Sequence, residues 1–281
     1  MKKALLVIGL LILVVAAVAG IFIWKDFQKF MAMEVVKVDP QLTVFIGGSG
    51  NSLVLTSDDG RQALVVDTKM RGAAQEMRDT VKAEDIIVVN THSHSDHTAG
   101  NTIYPKAKII AGAYDKNEWD VASDKSRYPD ITLKPGEEKE LKIGKETVIL
   151  RNMGRAHTTN DVVVYIKNRK FLVTGDLIFL DMHPAVIAKS GANVSLWIKA
   201  LEDLKDRYDI EKLVPGHGKL SDRNALVVMK EYFTSIGDGI GNKERLAELK
   251  KKYEGYFSLP GMTGFDRTVK FIENEKKSSG K

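Results

Sequence analysis

The chain has 281 residues, of which 43% are hydrophobic, and a formal net charge of +5 at pH 7. This length allows one large domain or two small ones, and the hydrophobic content is typical of a globular protein. Acidic and basic residues are interleaved, so the modest positive charge does not predict a nucleic-acid partner. The absence of cysteine excludes disulfide bonds and a thiolate nucleophile.

The first predicted element is an uncharged apolar run over residues 4–24, which follows Met1-Lys2-Lys3. The run is long enough to cross a bilayer, which needs about 20 residues, and the lysines would stay on the cytoplasmic side. Ala-Val-Ala at residues 17–19 resembles a signal-peptidase site. The apolar run nevertheless continues to Trp24, which suits a membrane interface. We therefore expect a retained membrane anchor with the catalytic domain outside the cytoplasm. The alternative is a cleaved signal and a secreted or periplasmic protein.

Short strands are predicted in the next part of the chain. Residues 25–40 are expected to form a connector, followed by strands at residues 42–47, 52–57 and 61–67. The last two strands would form a hairpin about Asp58-Asp59-Gly60, because Asp-Gly strongly favours a tight turn.

A dense cluster of potential metal ligands follows an apolar, β-branched run that predicts a buried strand. Residues 91–97 have the sequence Thr-His-Ser-His-Ser-Asp-His. Imidazole and carboxylate groups are ligands for zinc, iron or manganese. The spacing of His92 and His94 lets both rings reach one ion from an extended loop, and Asp96 and His97 can face a second ion. Because the chain has only six histidines, three in this window are not expected from a solvated polar loop.

Three residues further along the chain would complete two metal sites. His157 precedes an apolar strand, Asp176 comes at the end of another, and His217 lies in a Pro-Gly-His-Gly sequence after a third. Each is a ligand type at a predicted strand end, near a glycine that lets the backbone turn tightly. Among the histidines, only His183 is left without an assigned role.

The remaining sequence alternates between predicted strands and helices. Trp197, Leu201 and Leu204 recur at helical spacing and are expected to face a core. Gly237-Asp238-Gly239 predicts the end of a helix, and residues 273–281 predict a frayed tail. Strands are predicted at residues 108–111, 139–142, 147–152, 161–166 and 170–174, and helices at residues 72–82, 114–121, 195–208, 224–236 and 242–253.

Taken in order, these motifs resemble the metallo-β-lactamase superfamily. The set is His-x-His-x-Asp-His at residues 92–97, His157, Gly-Asp at residues 175–176 and Pro-Gly-His-Gly at residues 215–218. The resemblance covers roughly residues 40–235. It implies an α/β (α+β) fold, the αββα sandwich, with a two-metal site along one edge of the sheets.

The apolar N-terminal run and the resemblance together divide the chain into four parts. Residues 1–24 would be the membrane anchor or signal, residues 25–40 the connector, residues 41–236 the hydrolase domain, and residues 237–281 a C-terminal helical extension and tail.

Two divalent metal ions are implied as cofactors, most often zinc, with iron or manganese as alternatives. The implied ligands are His92, His94 and His157 for the first ion, Asp96, His97 and His217 for the second, and Asp176 for both. Asp67 matches the family's upstream aspartate and would hydrogen-bond the loop or a ligand imidazole. Because a bound metal ion lowers the pKa of water to about 7, the nucleophile would be a metal-bound hydroxide. Asp96 would orient that hydroxide toward the substrate carbonyl.

The residue implied to bridge the ions bears on the kind of substrate. An aspartate at position 176 resembles the glyoxalase II-like hydrolases and lactonases, whereas the best-known zinc β-lactamases mostly carry cysteine or serine. The sequence therefore predicts hydrolysis of a small ester, lactone or thioester. Three alternatives stay open: β-lactam hydrolysis, a phosphodiesterase or nuclease activity, and metal sensing without catalysis. Nucleic acid is not expected as a partner.

Overall fold

The structure is a computed structural model that describes residues 31–114 and 127–279, together with Gly20 and Gln28. The chain divides into two units, Met1–Ala32 and Met33–Lys281, and the fold below lies in the second. Apart from Gly20, the predicted anchor at residues 4–24 lies outside the described residues. Among the described residues, no helix is long and apolar enough to cross a membrane. All but the first residue of the helix predicted at residues 114–121 also lies outside them.

Within the described residues, twelve strands form two sheets. The first sheet has the order β1-β2-β3-β4-β5-β6-β7, with strands Met33–Lys37, Leu42–Gly47, Ser52–Thr56, Gln62–Val66, Asp85–Val89, Lys108–Gly112 and Ile131–Leu133. The second has the order β12-β11-β10-β9-β8, with strands Lys212–His217, Phe171–Phe179, Val162–Ile166, Glu146–Asn152 and Glu138–Ile143. Pairing is antiparallel from β1 to β4 and from β8 to β11, and parallel from β4 to β7 and between β11 and β12.

Helices connect the strands and follow the last one. The described α-helices are α1 Arg71–Thr80, α2 Ser95–Thr98, α3 Val194–Arg207, α4 Asn224–Gly239, α5 Lys243–Lys252 and α6 Phe265–Ser279. Single turns of 3-10 helix lie at Ala99–Ile103, Lys167–Arg169 and Ala188–Ser190.

The alternation of side chains along the strands separates two apolar layers. In β3, Leu53 and Leu55 enter the core between the two sheets, which also includes Val164 of β10. The intervening residue, Val54, packs on the opposite face with Met77 of α1. Successive strand side chains point to opposite faces, so a strand that is apolar throughout is buried on both sides.

Helices α3 and α4 cover the outer face of the second sheet. The indole Nε1 of Trp197 donates a hydrogen bond to the Leu177 carbonyl of β11 at 2.9 Å. The ring of Trp197 lies 4.9 Å from that of Phe233 in α4. Helix α1 lies on the outer face of the first sheet, so the layers are α-β-β-α and the fold predicted from the resemblance is confirmed.

Three local features differ from the sequence predictions. Strand β1 lies inside the predicted connector of residues 25–40. It was not predicted as a strand, because its short and largely exposed sequence shows no marked alternation of apolar and polar residues. Helix α4 does not end before Gly237 but continues through Gly239, where a Cβ would lie 3.2 Å from Leu246 and 3.3 Å from Leu249 of α5. Glycine therefore permits close helix packing at this point. The predicted frayed tail is the second half of α6, up to Ser279.

Helix α6 is ordered because it binds the ends of two other helices. The Glu275 carboxylate accepts hydrogen bonds from the backbone N–H groups of Val194 and Ser195 at 2.8 and 2.9 Å, at the start of α3. Lys276 donates to the Gly237 carbonyl near the end of α4 at 2.5 Å. A carboxylate at a helix N-terminus and an ammonium at a C-terminus both complement the helix dipole.

We expect Glu275→Ala to lower the free energy of unfolding by about 1 kcal/mol, because it removes an acceptor from the first turn of α3. Urea denaturation followed by circular dichroism measures the change. Lys277→Ala, at an exposed position of the same helix, is the matched control and should leave the unfolding midpoint unchanged. Equal stability of the two variants would contradict the role of Glu275.

Candidate metal centre

The strand topology brings all the predicted ligands to one edge of the sandwich. Asp67 follows β4, and residues 91–97 follow the parallel neighbour β5. His217 is the last residue of β12, which runs parallel to β11, the strand that contains Asp176. Because the carboxyl ends of parallel strands lie at the same edge of a sheet, these residues converge. His157 joins them from the loop between β9 and β10.

His92, His94 and His157 bring three ring nitrogens together. Nδ1 of His94 lies 3.1 Å from Nε2 of His92 and 3.0 Å from Nε2 of His157. Ligand atoms at Zn–N distances of 2.0–2.1 Å in a tetrahedral site are about 3.3 Å apart. The spacing is therefore close to that of three ligands on one ion.

Asp96, His97 and His217 form a second group beside the first. Nε2 of His217 lies 3.3 Å from Oδ2 of Asp96, which is 3.5 Å from Nε2 of His97. The His97 and His217 side chains are buried, whereas the Asp96 side chain is 22% exposed. Asp96 is thus the acidic residue of the group that solvent or a substrate can reach.

Asp176 lies between the two groups, with one carboxylate oxygen toward each. Its Oδ2 is 3.3 Å from Nε2 of His157 and 3.7 Å from Nε2 of His92. Its Oδ1 is 3.0 Å from Nε2 of His97 and 3.4 Å from Nε2 of His217. The structure therefore brings all seven predicted ligands together, in the two groups that the sequence analysis assigned to two ions. The assignment of each as a ligand stays a prediction.

Buried polar atoms at the junction of the groups support the fit of metal ions. Nε2 of His97 and Oδ1 of Asp176 are 3.0 Å apart, yet neither has a hydrogen-bond partner of acceptable geometry among the described residues. A buried polar atom without a partner costs about 1–3 kcal/mol, and a shared cation would satisfy both. Neutral imidazole and carboxylate are also the donors that zinc prefers.

Electrostatics differ between the two groups. Burial, together with the nearby imidazoles, lowers the pKa of His92 well below its usual range and that of His94 to about 3. These two rings are therefore neutral at pH 7 and can offer a lone pair.

In the second group, the carboxylates outweigh the effect of burial. Burial opposes protonation of His97 and His217, but Asp176 and Asp96 hold the pKa of His97 well above its usual range and raise that of His217 to about 9. Binding of a metal ion to these nitrogens would release protons.

Asp67 orients the ligand loop from behind. Its carboxylate accepts hydrogen bonds from the backbone N–H and the hydroxyl of Thr91 at 2.8 and 2.7 Å. It also lies 2.7 Å from Nδ1 of His97. A carboxylate on the far nitrogen of an imidazole fixes the tautomer that leaves Nε2 free for a metal ion.

Lys69 was not identified from the sequence, because its hydrogen-bond partners lie 19–24 residues upstream. Its buried ammonium donates to the carbonyls of Phe45, Gly47 and Gly50 at 3.0, 2.6 and 2.6 Å. Burial lowers the pKa of Lys69 to about 7, while Asp67 opposes the shift. The three contacts hold the loop of residues 47–51 against the site.

Asn51, at the other end of the same loop, forms hydrogen bonds with the turn that contains His217. Its side-chain Nδ2 donates to the carbonyls of Pro215 and Gly218 at 2.9 and 2.8 Å. Its backbone N–H donates to the Gly216 carbonyl at 2.8 Å. The turn-forming sequence at residues 48–51 predicted a loop but not these contacts, which join the two sheets.

Two glycines of the site are required by close approach. At Gly216, a Cβ would lie 2.1 Å from Oδ1 of Asp176, and at Gly50 it would lie 2.6 Å from Cε1 and Nε2 of His97. Gly216 does not have a left-handed backbone, so its role differs from the tight turning that the sequence suggested.

Two predicted features differ in detail. Asp176 does not end β11, which continues to Phe179 because the pairing with β12 shifts register after Val173 and Gly175. His183, which had no predicted role, is buried, and its Nδ1 lies 2.7 Å from the hydroxyl of Tyr232.

We expect Gly50→Ala to remove the ion of the second group, because its methyl group would occupy the space beside Nε2 of His97. Elemental analysis after saturation with zinc and removal of free metal measures the loss. Gly72→Ala is the control, because a Cβ there meets nothing within 4 Å. The prediction fails if both variants retain the metal content of the unsubstituted protein.

Several known proteins align with this chain at 26–27% sequence identity. A type 2 metallo-β-lactamase of Bacillus sp. (strain 170) is 27% identical over 147 residues, which are 52% of this chain and 56% of the relative. The type 2 enzyme of Bacillus cereus is 26% identical over 202 residues, 68% and 77% of the two chains. A probable metallo-hydrolase of Methanocaldococcus jannaschii is 26% identical over 210 residues, 66% and 96% of the two chains. The chain spans only 56–61% of the Bacillus sp. protein and of two further metallo-β-lactamases.

Solved structures show the same fold. The metallo-β-lactamase from Pontibacter korlensis matches with a TM-score of 0.58 at 21% identity, covering 70% of this chain and 96% of that one. The DIM-1 metallo-β-lactamase matches with a TM-score of 0.59 at 24% identity, covering 71% and 95%. At these identities the likeness concerns the fold alone. The family model described as metallo-beta-lactamase superfamily matches residues 46–217, more than half of the sequence. This chain, with its His/Asp cluster, therefore belongs to the metallo-β-lactamase superfamily of metal-dependent hydrolases.

Proposed function

We propose that the protein is a binuclear metal-dependent hydrolase that cleaves a small ester, lactone or thioester. The observation that carries the proposal is the Asp176 carboxylate, whose two oxygens face two separate groups of metal-ligand type. Asp176 would be the ligand shared by two ions, with His92 and His157 on one side and His97 and His217 on the other. Zinc is the most suitable ion, because imidazole nitrogens dominate both groups.

The residues of the site would divide the work of hydrolysis. Two bound ions would supply a hydroxide nucleophile at neutral pH and polarise the substrate carbonyl. Asp96, the partly exposed acid, would orient the nucleophile, because its carboxylate lies beside Nε2 of His97 and of His217 and can still reach solvent. His94 is also partly exposed, so the substrate would enter beside these two residues.

The aspartate at position 176 favours an acyl ester or thioester over a β-lactam. In the resemblance described above, aspartate at this position is typical of glyoxalase II-like hydrolases and lactonases. A carboxylate can bind two ions at once, and the two oxygens of Asp176 lie beside imidazoles of both groups. We therefore infer that this chain belongs to the branch of glyoxalase II-like hydrolases and lactonases.

β-Lactam hydrolysis is the second candidate function. It is supported by the names of the chain's relatives. Several relatives with 26–28% identity are named metallo-β-lactamases. Both reactions begin with attack on a carbonyl carbon, so the same groups would serve either substrate. The difference lies in the leaving group, which is an alcohol or thiol in one case and a ring amide nitrogen in the other.

A panel of substrates tests the proposal. Zinc-loaded protein lacking residues 1–24 would be assayed with a chromogenic acyl ester, a lactone, a thioester, a chromogenic cephalosporin and a phosphodiester. We expect the highest kcat/KM on an ester, lactone or thioester. Preference for the cephalosporin would establish the second candidate, and preference for the phosphodiester would contradict both.

Asp176→Ala tests the proposed bridging role, because loss of a ligand shared by both ions should lower the occupancy of both groups. We expect lower occupancy of both groups and a fall in kcat of more than about 100-fold, the upper end of the effect of removing an outer partner of a ligand. Asp176→Cys should retain more metal than Asp176→Ala, because a thiolate is a zinc ligand. His183→Ala, which removes a histidine outside the two groups, is the control for general loss of stability. Full occupancy and normal turnover in Asp176→Ala would contradict the bridging role.

We also propose that residues 4–24 hold the protein on a membrane, with the catalytic domain outside the cytoplasm. The support is the uncharged apolar run after Lys2 and Lys3. The run is long enough to span a bilayer, which requires a helix of about 20 residues. Fractionation of cells that express the full chain should place it in the membrane fraction, accessible to protease from the outer side. Shortened protein in the periplasm or medium would support a cleaved signal, and full-length protein in the cytosol would contradict both.

A further inference from the structure

The half-exposed loop of residues 187–193, here called the Ser190 loop, contacts the first histidine group from outside. Oγ of Ser190 lies 2.9 Å from Nε2 of His94. The opposite ring nitrogen, Nδ1, is the one that faces His92 and His157. Ser190 is therefore placed to control which nitrogen of His94 carries the proton.

We propose that Ser190 is a positioning residue, which accepts the Nε2–H of His94 and so keeps the Nδ1 lone pair directed at the first metal ion. The inference rests on the metal site of the proposed function. It assigns Ser190 no contact with substrate.

The tautomer matters most at His94. A neutral imidazole has one N–H, and a nitrogen that carries it cannot bind a metal ion. If Nδ1 of His94 carried the proton, it could donate to either neighbouring nitrogen, at 3.0 or 3.1 Å, instead of binding metal. The two tautomers are therefore direct competitors, and a hydroxyl that accepts from Nε2 favours the one that binds.

The other two histidines of the group are held differently. Nδ1 of His92 lies 3.1 Å from the hydroxyl oxygen of Thr91. That hydroxyl donates its own hydrogen to Asp67 at 2.7 Å, so it can only accept from His92. Nδ1 of His157 is buried without a hydrogen-bond partner among the described residues. Its ring instead packs 5.1 Å from the ring of Trp197 and 5.8 Å from that of Phe179.

The backbone of the Ser190 loop is fixed from two sides, which makes the position of the hydroxyl reproducible. Nε of Arg155 donates to the Gly191 carbonyl at 2.5 Å, and the Asn193 N–H donates to the Ala156 carbonyl at 2.8 Å. Gly191 has a φ of +84°, and a Cβ there would lie 2.5 Å from Thr159. These contacts join the loop to the segment that carries His157, so His94 and His157 are oriented by one connected unit.

The test compares Ser190→Ala with Ser190→Thr and with Lys189→Ala. Zinc affinity of the first site would be measured by chelator competition, and the His94 Nε2–H by ¹⁵N NMR of the zinc-loaded protein. We expect Ser190→Ala to weaken zinc binding by about 10-fold, within the usual effect of an outer partner of a ligand, and to expose the Nε2–H to rapid exchange with water. Ser190→Thr, which keeps the hydroxyl, should restore both properties. Lys189→Ala, at the exposed neighbouring position, should change neither.

Unchanged affinity and an unchanged Nε2–H signal in Ser190→Ala would overturn the proposal. An equal loss in Lys189→Ala or in Ser190→Thr would also overturn it, because the effect would then belong to the loop and not to the hydroxyl. Neither measurement depends on turnover. A protein that cleaves no substrate of the panel but loses affinity in Ser190→Ala would contradict the proposed function and support this inference.

Discussion

A buried carboxylate surrounded by imidazoles is the constraint on which the rest of the site depends. Asp176 is only 4% exposed, and a buried charge is tolerated only when it is paired. Its two oxygens have Nε2 atoms of four histidines at 3.0–3.7 Å. These nearby imidazoles hold the pKa of Asp176 well below its usual range, although burial opposes them. Asp176 is therefore anionic, which is the form in which a carboxylate binds a metal ion.

Close packing around this cluster requires two glycines, Gly216 and Gly50, as well as the side chains that hold them in place. A Cβ at Gly216 would overlap the Asp176 carboxylate, and a Cβ at Gly50 would overlap the His97 ring. Lys69 and Asn51 then hold the loop of residues 47–51 in that close position. The loop thus packs closely against the second group, and its Gly47 and Gly50 carbonyls accept hydrogen bonds from Lys69, as buried polar groups require.

The residues of the candidate site were easier to predict from the sequence than the residues that support them. The seven ligand types were recognisable because their chemistry is unusual and their order along the chain is specific. Strands such as β10 were predictable because apolar residues fill all five positions. Ser190 and Lys69 were not identified, because their partners are distant in sequence and a single serine or lysine carries no pattern. The second half of helix α6 was mistaken for a frayed tail, since the residues that it binds belong to α3 and α4.

The same physical contacts connect the last helix to the ligands. Glu275 of α6 satisfies the first N–H groups of α3, and α3 carries Trp197, whose ring packs against His157 at 5.1 Å. Trp197 is in turn fixed by its hydrogen bond to Leu177, the residue after Asp176. Because His157 lacks a hydrogen-bond partner at Nδ1 among the described residues, packing alone fixes the plane of its ring on that side. Helix α6 therefore supports the geometry of the first histidine group through α3, and it belongs to the structural unit that carries the candidate site.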